Sequence, residues 1–155
     1  MIAHSWEIAI TQSNKWKDSG ETIVFTNGCY DLIHPGHIDL ISKAKSKGDK
    51  LIVGLNSDRS VKQLKGYDRP IQNFDHRLII LDAINSVDMV VGFDEDTPEI
   101  IIKELLPNVL VKGGDYSINS VVGADIVISH GGTVEIIDLI PCKSTSSLID
   151  QITNL

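Results

Sequence analysis

The chain has 155 residues, of which 42% are hydrophobic, a size and composition that suit one globular domain with a substantial core. Its 14 basic and 21 acidic residues give a net charge of −7, which argues against sequence-independent nucleic-acid binding because that needs a broad cationic surface. Two cysteines are too few for a disulfide framework, and no apolar run approaches the roughly 20 residues that span a bilayer. Since the N-terminus also lacks a signal-peptide pattern, we expect a cytoplasmic protein with neither nucleic acid nor membrane as partner.

Apolar, β-branched runs alternate with amphipathic segments along the chain. Strands are predicted at residues 22–27, 50–56, 87–93, 108–112 and 133–140. Helices are predicted at residues 36–47, 73–84, 97–106, 120–129 and 144–152. This alternation predicts a single Rossmann-like α/β domain, in which a five-stranded parallel sheet has helices on both faces and binds ligands at the carboxyl edge of its strands.

The first 20 residues precede the first predicted strand. They contain Trp6, Ile10 and Trp16, which favour an accessory helix, although a flexible arm is the alternative. The aromatic side chains are expected to dock on the core or on a partner subunit. Residues 21–155 are then expected to form the main domain.

The most informative segment is TNGCYDLIHPGH at residues 26–37, which follows the first predicted strand. Gly28 permits a tight turn and Pro35 suits a first helical turn, so unpaired amides at the helix start face the end of the strand. Such amides and the positive end of the helix dipole attract phosphate. His34 and His37 lie on the same side of that turn, where both can donate to one oxyanion. The pattern predicts a nucleotide-phosphate site; the alternatives are two solvated histidines or a zinc site, for which no further ligand motif is present.

Polar segments follow two other predicted strands. Asn56 and Asp58 come at the end of the second, and KGGDY at residues 112–116 ends the fourth. Because the carboxyl ends of parallel strands share one edge, these amide and carboxylate groups can meet sugar hydroxyls there. Turn formation is the alternative, because Asn, Gly and Asp also favour turns.

Several cations are candidate phosphate ligands. Lys45 lies eight residues after His37 and can direct its ammonium back along the same helix face, although a solvated lysine is equally consistent with the spacing. Lys65 and Arg69 belong to a basic loop that is a plausible lid over a triphosphate. Arg77, on the next predicted helix, is ambiguous from its position alone.

Together these segments resemble the heptose 1-phosphate nucleotidyltransferases, the adenylyltransferase module of ADP-heptose synthesis within the HxGH nucleotidyltransferase superfamily. The resemblance extends over residues 25–149 and is carried by the segments at 25–31, 34–37, 53–58, 64–66, 69–70, 87–88, 93–98, 110–116 and 144–145, with Arg77. The KGGDY segment and the DEDTP segment at residues 94–98 distinguish it from the glycerol-phosphate and choline-phosphate cytidylyltransferases, which share the fold and the HxGH quartet.

The resemblance implies transfer of an adenylyl group from ATP to D-glycero-D-manno-heptose 1-phosphate, giving ADP-heptose and pyrophosphate, by a nucleotidyltransferase domain at residues 21–155. It also implies Mg²⁺ bound with the nucleotide, a homodimer, and a separate sugar kinase upstream. Asp31 is expected to orient the motif, and a metal role for it is the alternative. The catalytic residues implied are His34, His37 and Lys45. The nucleotide-binding residues implied are Thr26, Asn27, Gly28, Cys29, Tyr30, Gly36, Lys65, Arg77, Lys143, Ser144 and Thr145. The sugar-phosphate-binding residues implied are Asp31, Asn56, Asp58, Lys112, Gly113, Asp115 and Tyr116.

One departure from related enzymes bears on the nucleotide. Related cytidylyltransferases place an arginine ahead of the final Ser-Thr pair, whereas this chain has Pro141-Cys142-Lys143, in which lysine offers a point charge without bidentate geometry. We therefore expect ATP over CTP. The alternatives are a cytidylyltransferase acting on heptose phosphate or on a small polyol or amino-alcohol phosphate such as glycerol 3-phosphate, and a catalytically silent nucleotide-sensing module.

Overall fold

Six parallel strands form the sheet in the computed structural model, which describes residues 1–114, 116–138 and 145–154. The strands are β1 (Ile2–Ala3), β2 (Ile23–Gly28), β3 (Lys50–Asn56), β4 (Met89–Phe93), β5 (Val109–Gly113) and β6 (Thr133–Ile137). Across the sheet they lie in the order β1-β4-β3-β2-β5-β6, and every neighbouring pair is parallel. The predicted parallel sheet is confirmed.

The number of strands corrects the prediction, because the sheet has a sixth strand in place of the expected five. The additional strand is β1, in which Ile2 lies opposite Val90 of β4 and Ala3 opposite Val91. Two residues are too few to show the alternation that identifies a strand, and their partners are distant in the chain. The strand predicted at residues 133–140 ends at Ile137, and residues 139–140 lie outside the described part of the chain.

The helices include one that the sequence did not predict. They are α1 (Trp6–Asp18), α2 (Pro35–Lys45), α3 (Asp58–Lys65), α4 (Phe74–Asp82), α5 (Glu99–Leu105), α6 (Ala124–Ser129) and α7 (Thr145–Thr153). The unpredicted helix is α3, which starts because the Ser57 side chain accepts a hydrogen bond from the Ser60 amide. The helix predicted at residues 120–129 is shorter, since Gly123 with φ of +84° separates α6 from a 3₁₀ turn at Ile118–Ser120.

Helices cover both faces of the sheet, as predicted. Phe25 and Ile52 point toward the cluster that includes buried residues of α1, α5 and α6. Val24 and Leu51, one position earlier in each strand, point toward the cluster that includes α2 and α4. The alternation along β2 and β3 thus gives two apolar layers, each closed by helices.

The N-terminal segment packs on the first of these layers. Trp6, Ile10 and Trp16 of α1 contact this core cluster. The indole nitrogen of Trp6 donates a hydrogen bond to the carbonyl oxygen of Gly92 at 2.8 Å. Helix α1 is therefore fixed against the end of β4.

The order of the strands determines where a ligand can bind. β2 pairs with β3 on one side and with β5 on the other. The strands that directly follow β2 in the chain therefore lie on one side of it, and β5 and β6 lie on the other. In open parallel sheets, ligands bind in the crevice at the carboxyl ends of the strands where the strand order changes side in this way. β2 ends at Gly28, which places the turn before α2 at that position.

Candidate active site

A cleft of about 620 Å³ opens at this carboxyl edge. Its lining includes residues from the ends of β2, β3 and β5 and from the starts of α2 and α7. Most of the predicted site residues meet there. Those that line the cleft are Asn27, Gly28, Cys29, Tyr30, Asp31, His34, Gly36, His37, Asn56, Lys65, Lys112, Gly113, Tyr116 and Thr145.

The two histidines stand together at the N-terminus of α2. His34 precedes the helix with an extended backbone, and its Nδ1 accepts a hydrogen bond from the Gly36 amide at 3.1 Å. A neutral His34 ring therefore carries its proton on Nε2. The rings of His34 and His37 are stacked with centroids 3.8 Å apart, so the two imidazoles act at one place.

His37 is held in its neutral form. Burial, and to a smaller extent the neighbouring His34, lower the pKa of His37 from 6.5 to about 4, while a hydrogen bond with the Leu32 backbone partly opposes the shift. At neutral pH this imidazole therefore interacts with an anion as a hydrogen-bond donor and not as a cation. The positive potential at this point comes from the start of α2 and from the lysines of the cleft.

The turn between β2 and α2 is shaped by Tyr30. Its ring lies 5.2 Å from the His37 ring and packs on Gly28, where a Cβ would approach the Tyr30 ring to 3.0 Å. Burial raises the pKa of the Tyr30 phenol, and burial also raises the pKa of the Cys29 thiol against the opposing effect of Lys65. Both groups therefore stay protonated and form part of the cleft wall.

Asp31 fastens this turn to the loop between α3 and α4. Its carboxylate accepts hydrogen bonds from Arg69 Nε at 2.6 Å and from the amides of Ile71 and Gln72, each at 2.9 Å. Although burial raises the pKa of Asp31, these donors hold it below its ordinary value. The carboxylate predicted to bind the sugar phosphate is thus occupied within the protein.

Among the described residues, three lysine and arginine side chains line the cleft, and two of them were predicted site residues. Lys65 is the last residue of α3, Arg69 lies in the loop that Asp31 holds, and Lys112 lies near the end of β5 on the opposite side of β2. Burial lowers the pKa of Lys112, Cys29 opposes this, and Lys65 lowers it further. The Lys112 ammonium lies 5.8 Å above the Tyr116 ring. Cations on two sides of the turn provide an environment for a polyphosphate.

Arg77, predicted to bind the nucleotide, lies behind the turn instead of lining the cleft. It is fully buried and donates to the Cys29 carbonyl oxygen at 2.6 Å, to Asp58 Oδ1 at 2.7 Å and to the Gln72 carbonyl oxygen at 3.1 Å. Asp58 is engaged by this contact and also does not line the cleft. Thr26 is fully buried within β2, below the turn. Arg77 thus supports the backbone of the turn from behind, and Asp58 pairs with its guanidinium.

Lys45 is not brought to the cleft. Helix α2 runs from the carboxyl edge of the sheet, where His34 lies, to the amino edge, where β3 begins. There the Lys45 ammonium pairs with Asp88 at 2.5 Å, and the same Asp88 oxygen accepts a hydrogen bond from the Leu51 amide. The structure therefore offers no support for a phosphate contact by Lys45. Asp115, Lys143 and Ser144 lie outside the described residues.

Sequence reasoning did not assign several residues of the cleft. They are Leu40, Leu64, Arg69, Asp96, Thr97, Pro98, Val122 and Ser146. Arg69 had been noted as part of a basic loop. Asp96, Thr97 and Pro98 belong to the DEDTP segment that follows β4, and their position after a strand at the carboxyl edge was a signal that could have found them.

Residues 1–114, 116–138 and 145–154 contain no group of three or more His, Cys, Asp or Glu side chains arranged to hold a metal ion. Among the helices of the same residues, none combines the length and apolar character needed to cross a membrane.

The parallel sheet and the cleft at its carboxyl edge place this protein in the class of Rossmann-like α/β folds, with a pair of stacked histidines at the candidate site. The chain belongs to the cytidylyltransferase-like family, whose model matches residues 25–147.

Curated relatives of high identity are bifunctional proteins. The chain is 52% identical over 145 residues to the bifunctional protein HldE of Marinomonas sp. strain MWYL1, a match covering 94% of this chain and 30% of that protein. It is 49% identical over 133 residues to the bifunctional protein HldE of Pseudomonas aeruginosa strain LESB58, covering 86% of this chain and 28% of that protein. The chain thus spans less than a third of the length of these relatives.

Solved structures agree on the fold. A lipopolysaccharide core biosynthesis protein from Thermoplasma volcanium GSS1 matches with a TM-score of 0.62 and 26% identity, covering 78% of this chain and 98% of that one. A pantoate-beta-alanine ligase from Francisella tularensis, solved with beta-gamma ATP and beta-alanine, matches with a TM-score of 0.65, covering 100% of this chain and 73% of that one. At 16% identity, the second match bears on the fold alone.

Proposed function

We propose that this chain transfers an adenylyl group from ATP to D-glycero-D-manno-heptose 1-phosphate, forming ADP-heptose and pyrophosphate. The observation that carries the proposal is the stacked pair of His34 and His37 at the start of α2, in a cleft lined by Lys65 and Lys112. The sequence resemblance to heptose 1-phosphate nucleotidyltransferases supports the choice of acceptor, as does about 50% identity to bifunctional HldE proteins.

The proposed reaction is a direct displacement at phosphorus. An oxygen of the sugar 1-phosphate attacks the α-phosphorus of ATP, a new P–O bond forms, and the bond to the β-phosphate oxygen breaks to release pyrophosphate. Because the nucleophile is already an anion, no protein group needs to remove a proton from it. The role of the protein is to position the two phosphates and to stabilise the charge on the phosphorus oxygens.

Each part of the cleft has a role in this proposal. The amides at the start of α2 and the N–H groups of His34 and His37 donate to oxygens of the α-phosphate, since charge on these oxygens changes during the displacement. Lys65 and Lys112 bind phosphate groups from opposite sides of β2. Lys45 has no part in the proposed mechanism, because its ammonium is paired with Asp88 at the other edge of the sheet.

Nucleotidyltransferases of this kind generally need a divalent metal. We propose Mg²⁺, held chiefly by the phosphates, because this ion is commonly bound through one or two carboxylates and substrate phosphates. When bound, the ion would neutralise charge on the leaving pyrophosphate.

Further assignments also belong to the proposal. The sugar phosphate is assigned to Asn56, Gly113 and Tyr116 in the cleft and to Asp115, and the triphosphate to Thr145 with Lys143 and Ser144. We further propose a homodimer, and a kinase reaction that supplies the sugar 1-phosphate. The HldE relatives are bifunctional proteins much longer than this chain, and their second activity is not part of the proposal.

Pyrophosphate release with ATP and heptose 1-phosphate tests the proposed function. Release should require both substrates, and mass spectrometry should find ADP-heptose. A nucleotide-sensing module would bind ATP and release no pyrophosphate.

A competition between nucleotides tests the choice of ATP. With ATP and CTP at equal concentration, ADP-heptose should predominate. Predominant CDP-heptose would overturn the adenylyl assignment, and turnover of glycerol 3-phosphate in place of the heptose phosphate would overturn the acceptor. Hydrogen-bonding sites can make such discriminations strongly, so a clear majority product is expected.

A further inference from the structure

One wall of the cleft has no role in the displacement described above. Asp96, Thr97 and Pro98 form this wall, which lies at the end of β4 and is called here the β4 wall. Among the described residues that line the cleft, the carboxylates are Asp31 and Asp96. Both oxygens of Asp31 accept hydrogen bonds from the protein, whereas the Asp96 side chain is 75% exposed. A ligand in the cleft therefore meets the carboxylate of Asp96.

The charge of the β4 wall indicates which part of a substrate it meets. A carboxylate repels phosphate groups, and the cleft offers Lys65 and Lys112 for those. Asp96 forms an ion pair with Arg59, whose Nη1 lies 3.8 Å from the carboxylate while both side chains are more than half exposed. That distance is too long for a hydrogen bond. Asp96 thus keeps its capacity to accept hydrogen bonds from hydroxyl groups.

The β4 wall is anchored by the first turn of α3. Asp94 accepts hydrogen bonds from Ser57 Oγ and from Arg59 Nε, the latter at 2.8 Å, and its carbonyl oxygen accepts from Arg59 Nη2. The next carbonyl oxygen, of Glu95, accepts from Ser60 Oγ at 3.3 Å. These contacts form without a ligand, so the backbone immediately before Asp96 is fixed before a substrate arrives.

We propose that Asp96 and Thr97 determine the acceptor by hydrogen-bonding hydroxyl groups of its sugar ring or side chain, an inference that rests on the proposed function. The Asp96 carboxylate accepts from a hydroxyl group, and the Thr97 hydroxyl donates or accepts. A site that hydrogen-bonds a substrate hydroxyl rejects analogues that lack it, because its polar groups are then left unpaired. The β4 wall is therefore a specificity element for polyhydroxylated phosphates.

The first test compares Asp96→Ala with Glu95→Ala in steady-state kinetics. Glu95 is a matched control, because it is the adjacent acid, accepts from the Asp94 amide and does not line the cleft. Asp96→Ala should raise the KM for heptose 1-phosphate about 10- to 100-fold and leave the KM for ATP within about 2-fold, since hydrogen bonds to charged groups are the stronger ones. Asp96→Asn keeps one acceptor oxygen and should show an intermediate KM. An equal rise in both KM values, or the same rise in Glu95→Ala, would overturn the proposal.

The second test identifies the contact itself. Acceptors with a single hydroxyl replaced by hydrogen are compared in the native enzyme, in Asp96→Ala and in Thr97→Val, which removes a hydroxyl at constant size. For one deoxy acceptor, the KM penalty of Asp96→Ala should disappear, because the missing partner is the same. A penalty that persists undiminished for every deoxy acceptor would show that Asp96 acts through its charge on the phosphates and would overturn the proposal.

The two proposals fail in distinguishable ways. If the native enzyme turns over heptose 1-phosphate and Asp96→Ala does so with unchanged KM values, the proposed function stands and the role of the β4 wall is wrong. If the native enzyme instead uses another hydroxylated phosphate, the proposed function is wrong and the same variants test the β4 wall on that acceptor. If no hydroxylated phosphate is accepted, both proposals are wrong.

Discussion

Helix α2 has an ion pair near each of its ends, and the two pairs differ in burial and in what they hold together. Near the N-terminus, Asp31 and Arg69 are 2.6 Å apart with side chains 1% and 14% exposed. Near the C-terminus, Lys45 and Asp88 are 2.5 Å apart with side chains 30% and 23% exposed. The first pair joins two walls of the cleft, while the second joins α2 to the opposite edge of the sheet. Position relative to the sheet edge, more than residue type, determines which charges can serve a nucleotide.

The largest expected effect breaks the buried pair. Asp31→Asn should lower the free energy of unfolding by about 3–5 kcal/mol, because asparagine carries no charge to pair with the largely buried Arg69 and offers one acceptor oxygen in place of two. Asp88→Asn, the matched change in the other pair, should cost about 1 kcal/mol. Urea unfolding followed by circular dichroism measures both. Equal losses in the two variants would contradict the distinction between the pairs.

The next effect concerns chemistry at the N-terminus of α2. His37→Ala should reduce turnover about 10²–10³-fold, because a donor that stabilises developing charge mainly lowers the barrier. Nucleotide affinity, measured by calorimetry, should change much less. His76→Ala, an exposed histidine outside the cleft, is the control and should keep native turnover. Near-native turnover in His37→Ala would show that His37 at this end of the helix is not catalytic.

The pH dependence of stability is a third measurement. The pKa of His37 is lowered from 6.5 to about 4, so the unfolded chain binds more protons in this interval and stability is lost as the pH falls through it. Between about pH 7 and about pH 5 the contribution of His37 should fall by about 2 kcal/mol. Urea unfolding of the native protein and of His37→Gln at both pH values isolates this contribution as the difference between them. Parallel losses in the two proteins would mean that His37 protonates as readily in the folded state.

The smallest effect is expected at the other end of α2. Lys45→Ala should leave kcat and both KM values within about 2-fold, and it should lower the free energy of unfolding by about 1 kcal/mol or less, because its ion pair is partly solvated. Steady-state kinetics measures kcat and the two KM values, and urea unfolding measures the change in stability. A loss of turnover comparable to that of His37→Ala would support the phosphate contact predicted from the sequence and would contradict the location of Lys45 in the structure.

Periodicity predicted the layers of this fold because each strand alternates between two apolar clusters and each helix has an apolar face. The same reasoning gave the position of the site, because the end of β2, the turn at Gly28 and the start of α2 are adjacent in sequence. It did not find β1, since two residues show no period and pair with a strand near the middle of the chain. Long-range pairing of so short a segment is visible only in three dimensions.

The individual charges were harder to predict than the fold. Lys45 shares a helix face with His37, but eight residues correspond to about 12 Å along the axis, and the ammonium finds Asp88 from a distant part of the chain. Arg77 likewise donates its hydrogen bonds to the Cys29 carbonyl oxygen and to Asp58, and it does not line the cleft. Asp96 belongs to the DEDTP segment but was not assigned to the site, and its ion pair with Arg59, at 3.8 Å, comes from a distant part of the chain. Spacing gives the direction of a side chain, while its partners decide its role.

The hydrogen bonds between Asp31 and the α3–α4 loop restrict how that loop moves. The amides of Ile71 and Gln72 are held by a carboxylate that is itself 1% exposed, so they can exchange hydrogen with water only when the turn before α2 opens. The loop that begins after Lys65 and contains Arg69 should therefore fluctuate with the sheet and not as an independent flap. A nucleotide arriving at the cleft meets a basic surface already in place, and little conformational entropy is lost in ordering it.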